Sequence, residues 1–365
     1  MTQASTLNPI AFSAISGWRE DQLDQALAAF QRSAQEIIER GNGFKRLSRF
    51  GGGREDWLAV CEKAGAAASG RDFFESEFSA FRVEDEARPR GLFTGYYEPI
   101  AEGSLTRSAE YPVPIYAKPD DLMSFNPEDM SRTGLSYGRK IDGQPRAYHT
   151  RKEIEQGALS GSSLEICFLK SWVDAFFIHV QGNGRVILPD GGTIRLSYAG
   201  KNGQPYTGIG SVLLKRGIGT PQTMSMQLLR LWMADHPSET RDLLWHNSSF
   251  IFFRVTQIDE PHLGAIGAAK VNLTPLRSLA VDRAVWAFGT PLFVETHEPP
   301  EAKASSVPFN HLMIAQDTGT AIKGVVRGDV YWGWGETAAH NAGHMKSPGG
   351  MVALLPRALA KRLAP

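Results

Sequence analysis

At 365 residues the chain is long for one small core, and length alone points to about two domains. Hydrophobic residues make up 42% and charged residues 21%, a globular balance that excludes a largely disordered chain. Lysine plus arginine equals aspartate plus glutamate at 39 each, which removes the electrostatic case for a nucleic-acid partner.

The opening stretch, MTQASTLNPIAFSAISGWRED, has no basic start followed by an apolar run and no cysteine to carry lipid. No later window holds 18 uninterrupted apolar residues, so the chain is expected to be soluble as it stands. Residues 20–83 are expected to be helical. Leu23, Ala26, Leu27, Phe30, Ala34, Ile37 and Ile38 recur at helix spacing until GNG at 41–43 ends the run. Beyond the Gly51-Gly52-Gly53 linker, Trp57, Leu58, Cys61, Ala64, Phe73, Phe74, Phe78 and Phe81 read as core.

Residues 101–242 read as mixed, with a helix over Thr150–Ala158. Strands follow, with turn signals at Asn183-Gly184, Asp190-Gly191-Gly192 and Asn202-Gly203. Two helices containing MSMQLLRLWM and TRDLLWH close this block. Residues 246–355 are expected to be mostly short strands, beginning with SSFIFFRV, in a pattern that suits a barrel.

Three acids stand out in that last block. Asp317 and Asp329 lie in AQDTGTAIKGVVRGDVYWGWG, and Asp282 lies in SLAVDRAVWAFGTPL. Aspartate is depleted in strands, and a half-buried one must be hydrogen-bonded, charge-paired or used in chemistry. Together they form a candidate acid/base site, although any one alone reads more readily as a turn or a satisfied surface carboxylate. GLFTGYYEP at 91–99 adds Thr94, Gly95, Tyr96 and Tyr97. Adjacent tyrosines on a strand face opposite sides, so one can be core and the other can line a groove. Gln181 stands beside two glycines, Tyr198 in another Gly-rich loop, and Ser225 and Gln227 on different faces of a helix. Turn or capping roles explain each of these singly. Nineteen Phe, nine Tyr and eight Trp are generous, and rings near carboxylates would suit a sugar groove.

Cys61 and Cys167 have no metal spacing and read as packed thiols, with a bridge between them left open. His340 and His344 are spaced i, i+4, but HNAGH lacks the glutamate of HExxH, so no metal is expected.

In order along the chain, GLFTGYYEP, PIYAKP, RKEIEQGAL, DAFFIHVQGNGRV, SYAGKNGQPY, MSMQLLRLW, LLWHNSSFIFF, SLAVDR, AQDTGTAIKG and GDVYWG resemble the MltA-type lytic murein transglycosylases. The resemblance covers about residues 90–356. It implies a mainly β fold with N-terminal helices: a double-psi β-barrel domain, an inserted smaller β-barrel domain and a groove between them. The implied segments are 1–100 (helices and the first barrel part), 101–245 (insert) and 246–365 (second barrel part with the three aspartates).

It also implies an enzyme, a peptidoglycan lytic exotransglycosylase, although the residues leave open whether cleavage begins at strand ends or within strands. Such an enzyme cleaves the β-1,4 bond between N-acetylmuramic acid and N-acetylglucosamine and leaves a 1,6-anhydro sugar. Asp329 matches the acid/base, and Asp317 and Asp282 match supporting aspartates. Thr94, Gly95, Tyr96, Tyr97, Gln181, Tyr198, Ser225, Gln227, Lys323 and Trp332 match the substrate-binding motifs. Val330, Tyr331 and Trp332 are expected to give Asp329 an apolar setting, and Lys323 is taken as its nearest cation.

No cofactor is implied. The implied partners are peptidoglycan glycan strands, with cell-wall synthesis proteins as candidates; a monomer is expected, in the periplasm and associated with the outer membrane. One departure is Thr320, where the family usually has glycine; positive φ there would cost about 1 kcal/mol or more. Two other classes remain on the residues alone. One is a glycan-binding protein without catalysis. The other is an aspartic protease, from the triplet Asp317-Thr318-Gly319, which would need a second such triplet that the chain lacks.

Overall fold

The first apolar stripe folds as a helix, Leu23–Glu39 (α1), which buries Leu23, Ala26, Leu27, Phe30, Ala34 and Ile37 and leaves Ile38 exposed. The chain turns at Gly41, whose left-handed backbone suits a residue without a Cβ. Glu55–Ala64 (α2) and Gly70–Glu77 (α3) follow. The computed structural model describes residues 5–86, 89–221, 223–299 and 307–363. It divides into two compact units, Met1–Tyr97 with Pro261–Pro365, and Glu98–Glu260.

Eight strands of the first unit form one sheet: Ser5–Ile10 (β1), Phe78–Asp85 (β2), Gly91–Glu98 (β3), Ser278–Val281 (β4), Pro291–His297 (β5), Pro308–Asp317 (β6), Arg327–Trp334 (β7) and Lys346–Pro356 (β8). Their order is β1-β2-β8-β5-β6-β4-β7-β3. β8 closes it, because residues 346–349 pair with β3 while residues 350–356 pair with β5 and β2. Six strands therefore form a ring, which removes their open edges. Its interior is apolar: Phe93, Leu279, Val281, Leu292, Val294, Met313, Val330 and Met351 are buried together. The helices pack outside it through Phe30, Trp57 and Phe74 against Phe293, Leu312 and Leu354. Each such side chain contributes about 1.5–3 kcal/mol on burial.

Phe78 and Phe81 are core as expected, but not helical. β2 begins directly after α3, and the aromatic cluster that draws Phe78 onto Phe30 (ring centroids 5.7 Å apart) is tertiary rather than local. The last block is also less uniformly β than expected. Gly335–His344 (α4) packs on β7 and carries His340 and His344, whose rings contact one another at 4.4 Å.

The second unit has a six-stranded sheet in the order 251–256, 193–201, 183–187, 100–104, 165–169 and 113–116. A bridge between Ala117 and Phe253 joins its two edges around Ile115, Cys167, Leu169, Val186, Leu196 and Phe253. SSFIFFRV, read as the start of the last block, lies in this sheet instead, where Ile251–Thr256 pairs with Thr193–Lys201. The expected turn at Asn183-Gly184 is already strand, paired with Ser197 and Leu196, and the reversal falls at Gly182. Thr150 caps the short helix that begins at Arg151 through a reciprocal bond with Glu153. Glu98, fully buried, is held by Arg195 (Nε to Oε1, 2.8 Å) and Arg185 (Nε to Oε2, 2.9 Å), so it belongs to this unit's scaffold. Both cysteines are free and buried, which pushes each thiol up to about 12. Among the described residues no helix is long and apolar enough to cross a membrane.

Candidate active site

Two of the three aspartates meet because of strand register. On β4, Leu279 and Val281 point into the barrel, so Ala280 between them points outward. Ala280 is paired with Asp329 on β7 and with Asp317 on β6. The two carboxylates thus flank one small residue on the outer face, about 10 Å apart at Cα from two strand spacings. Simple alternation would turn Asp317 inward, since Ala315 is interior. A one-residue slip between the Leu279–Ala315 and Ala280–Asp317 pairs sends it outward instead.

β3 supplies the rest of this face. Phe93 is interior, so Thr94 and Tyr96 face outward with the aspartates. The Tyr96 hydroxyl donates to Asp317 Oδ2 at 3.1 Å, and its ring lies 5.2 Å from that of Tyr331. The amides of Ala268 (3.0 Å) and Thr318 (2.9 Å) donate to Asp317 Oδ1. Three donors converge on Asp317. Burial pushes its pKa up, these donors pull against the rise, and Asp329 adds to it.

Asp329 is held differently. The Thr94 hydroxyl donates to its Oδ1, and Arg327 Nη2 donates to the Thr94 oxygen at 2.7 Å. Its Oδ2 has no hydrogen-bond partner among the described residues. Burial raises the Asp329 pKa above the usual carboxylate range, and the Arg327 charge and the Thr94 bond oppose it without cancelling it. A carboxylic acid so placed can give a proton and take one back.

Arg327 replaces Lys323 as the relevant cation. It stands two residues before Asp329, on the same strand face, and sequence reasoning passed over it. Lys323 is exposed and pairs instead with Asp282 at 3.3 Å. Asp282 sits just beyond β4 and is buried. Desolvation opposes its charge, but the amides of Ala284 (3.0 Å) and Gly324 (3.1 Å) and the Lys323 cation leave its pKa below the ordinary value. It ties the end of β4 to the loop before β7.

The remaining residues of the aspartate-bearing segments fall elsewhere. Tyr97 is buried like Tyr96, so neither tyrosine stands free in an open groove. Val330 is interior and Trp332 lies on Val330's side of the strand, its indole donating to Met345 Sδ at 3.4 Å. Of the three residues expected to surround Asp329, only Tyr331 shares its face, because side chains alternate along β7. Gly95 is explained by that same indole: a Cβ there would lie 2.7 Å from Trp332 and from the Ala342 backbone. Thr320 does not take the left-handed backbone, so the expected strain is absent.

Gln181, Tyr198, Ser225 and Gln227 belong to the second unit. Gln181 ends the helix Trp172–Gln181, and Tyr198 stands exposed on the strand beside Ile251–Thr256. Ser225 caps the helix Met226–Asp235, accepting from the Leu228 amide at 3.2 Å, while Gln227 lies half-buried in that helix's first turn.

Comparison with known proteins adds to this geometry. Residues 92–254 match the family pattern described as the MltA specific insert domain, and residues 277–355 match the 3D domain. A membrane-bound lytic murein transglycosylase A from Escherichia coli K12 is 33% identical over 318 residues, 85% of this chain and 78% of that protein. The chain belongs to the lytic murein transglycosylase A family. A crystal structure of a family member from Agrobacterium tumefaciens is 35% identical, with a TM-score of 0.88 over 98% of this chain and 99% of that one. Escherichia coli MltA with bound chitohexaose is 28% identical, with a TM-score of 0.67 over 98% and 93%. The fold is the family's, with the six-stranded ring as its double-psi barrel and the second unit as its insert domain.

Proposed function

We propose that this family member cleaves the β-1,4 linkage between N-acetylmuramic acid and N-acetylglucosamine in peptidoglycan, with Asp329 as the single acid/base and a 1,6-anhydro sugar as product. One observation carries the assignment: of the two carboxylates flanking Ala280, Asp317 is engaged by three donors while Asp329 keeps one oxygen open. A hydrolytic glycosidase uses two working carboxylates, one as acid and one to activate water or attack carbon. If the muramyl C6 hydroxyl attacks its own anomeric carbon, the nucleophile is already tethered, and proximity supplies what a second carboxylate would. One acid then serves both steps, protonating the leaving oxygen and afterwards accepting the C6 proton.

Burial favours the protonated form that this first step needs. Asp317, Asp282 and Tyr96 position the surrounding loops, and the glycan strand is the partner. A monomer working at the periplasmic face of the envelope fits this substrate. Asp329→Asn should lower release of muropeptides from purified sacculi by about 10²–10⁴-fold while leaving binding to sacculi intact. Near wild-type turnover in that variant would discard Asp329 as the acid/base.

A further inference from the structure

Resting on the assignment of Asp329, we propose that Arg327, acting through Thr94, fixes Oδ2 of Asp329 as the atom that carries both protons of the reaction. The argument follows from hydrogen-bond capacity. A threonine hydroxyl has one proton and an oxygen that accepts. Arg327 Nη2 donates to that oxygen at 2.7 Å, and an arginine cannot accept in return. The hydroxyl proton is therefore directed at Asp329 Oδ1. Oδ1 is occupied as an acceptor, so the acid proton resides on Oδ2, which has no partner among the described residues. A cation donating to the hydroxyl also makes it a stronger donor, since chains of hydrogen bonds polarise one another.

Arg327 is itself held in place. Its Nη1 donates to the Leu92 carbonyl at 3.3 Å and to the Gly328 carbonyl, so one guanidinium spans β3 and β7 and meets Thr94 between them. Arg327 is thus a positioning residue: it makes no hydrogen bond to Asp329 among the described residues and reaches the acid through Thr94 and, through space, by its charge.

The balance of the reaction is then definite. The Oδ2–H bond breaks as its proton passes to the glycosidic oxygen, and the C1–O bond breaks with its electron pair left on that oxygen. The C6 oxygen bonds to C1 and its proton goes to Oδ2, restoring the acid. Nothing is oxidised and no water enters. Between the two transfers the Thr94 hydrogen bond stabilises the carboxylate through Oδ1. The charged or titratable groups facing Asp329 are Arg327 on its own strand, Tyr331 beside it, Tyr96 on β3 and Asp317 on β6.

The test is kcat and KM for anhydromuropeptide release across pH in Thr94→Val, Thr94→Ser, Arg327→Gln and the Thr94→Val/Arg327→Gln double variant, each confirmed folded by its melt. Thr94→Val keeps the side chain's shape. It should lower kcat about ten- to a hundredfold with little change in KM, the range expected for losing a bond to a charged group. The alkaline limb should move to higher pH, because the ionised form has lost a donor. Thr94→Ser should restore both. Arg327→Gln should lower kcat in the wild-type background and lower it clearly less in the Thr94→Val background, where only its through-space charge remains, as partners in one network do. Thr94→Val within twofold of wild type with an unmoved limb overturns the relay, and so do fully multiplicative effects in the double variant. Asp329→Asn, run alongside, separates the two levels. If it is inactive while Thr94→Val is normal, only the relay fails; if it is active, the acid/base assignment fails first.

Discussion

Truncation of Asp317 is the perturbation whose magnitude the structure fixes best. Its two oxygens take the amides of Ala268 and Thr318 and the hydroxyl of Tyr96, at 2.9–3.1 Å. Asp317→Ala leaves all three donors without a partner, and an unsatisfied buried donor costs about 1–3 kcal/mol. Tyr96 is buried against Leu273, Ala280 and Tyr331, so its hydroxyl bears the full cost. Asp317 itself is only part-buried, so water can serve an amide, and the sum should fall at about 3–5 kcal/mol. For a unit of this size each kcal/mol lowers Tm by roughly 2–4 °C, which predicts a fall of about 6–20 °C by calorimetry or circular dichroism. Activity should fall with it and recover in part on cooling. A wild-type melt combined with complete inactivity would refute this reasoning and move Asp317 from scaffold into the chemistry.

Asp329→Asn should raise Tm as well as abolish turnover. The folded-state pKa of Asp329 lies above its unfolded value, so its contribution to stability is full below the usual carboxylate range and is lost as pH climbs through the folded pKa. The gap between variant and wild type should therefore widen from acid towards neutral pH, and a flat gap would contradict the burial argument. Gly95→Ala places a methyl 2.7 Å from the Trp332 indole and the Ala342 backbone and should cost about 1–3 kcal/mol by chemical denaturation. Lys323→Ala should change stability by less than about 1 kcal/mol, because the lysine end of its ion pair with Asp282 is solvent-exposed, and should leave activity near wild type.

What the sequence disclosed follows from how local each feature is. α1 was legible because its apolar period is a helix's own, and Asp190-Gly191-Gly192 was legible because a tight hairpin writes its turn into neighbouring residues. Phe78 and Phe81 continue a helical spacing and yet form strand, because the cluster with Phe30 and Trp57 decides their state from far along the chain. The three aspartates could be picked out as unusual, and the family resemblance set Asp329 apart from the other two, but the contacts that distinguish them could not be read. Asp317 shares a face with Asp329 only through a register slip, and Asp282 turns instead to loop amides. Arg327 did carry a signal: two residues before an acid on one strand means the same face. Trp332 was misplaced by proximity along the chain, where an odd number of residues from Asp329 means the opposite side. Arg327's hold on Thr94 depends on β3 lying beside β7, and no local pattern encodes that.

The central claim is that a tethered hydroxyl, not water, completes the reaction begun by Asp329. Mass spectrometry of muropeptides released from sacculi by the wild-type enzyme reads this directly. Products lighter by one water than their hydrolysed counterparts, and resistant to borohydride reduction at the muramyl end, are predicted. Reducible muramyl termini carrying oxygen from labelled water would contradict it.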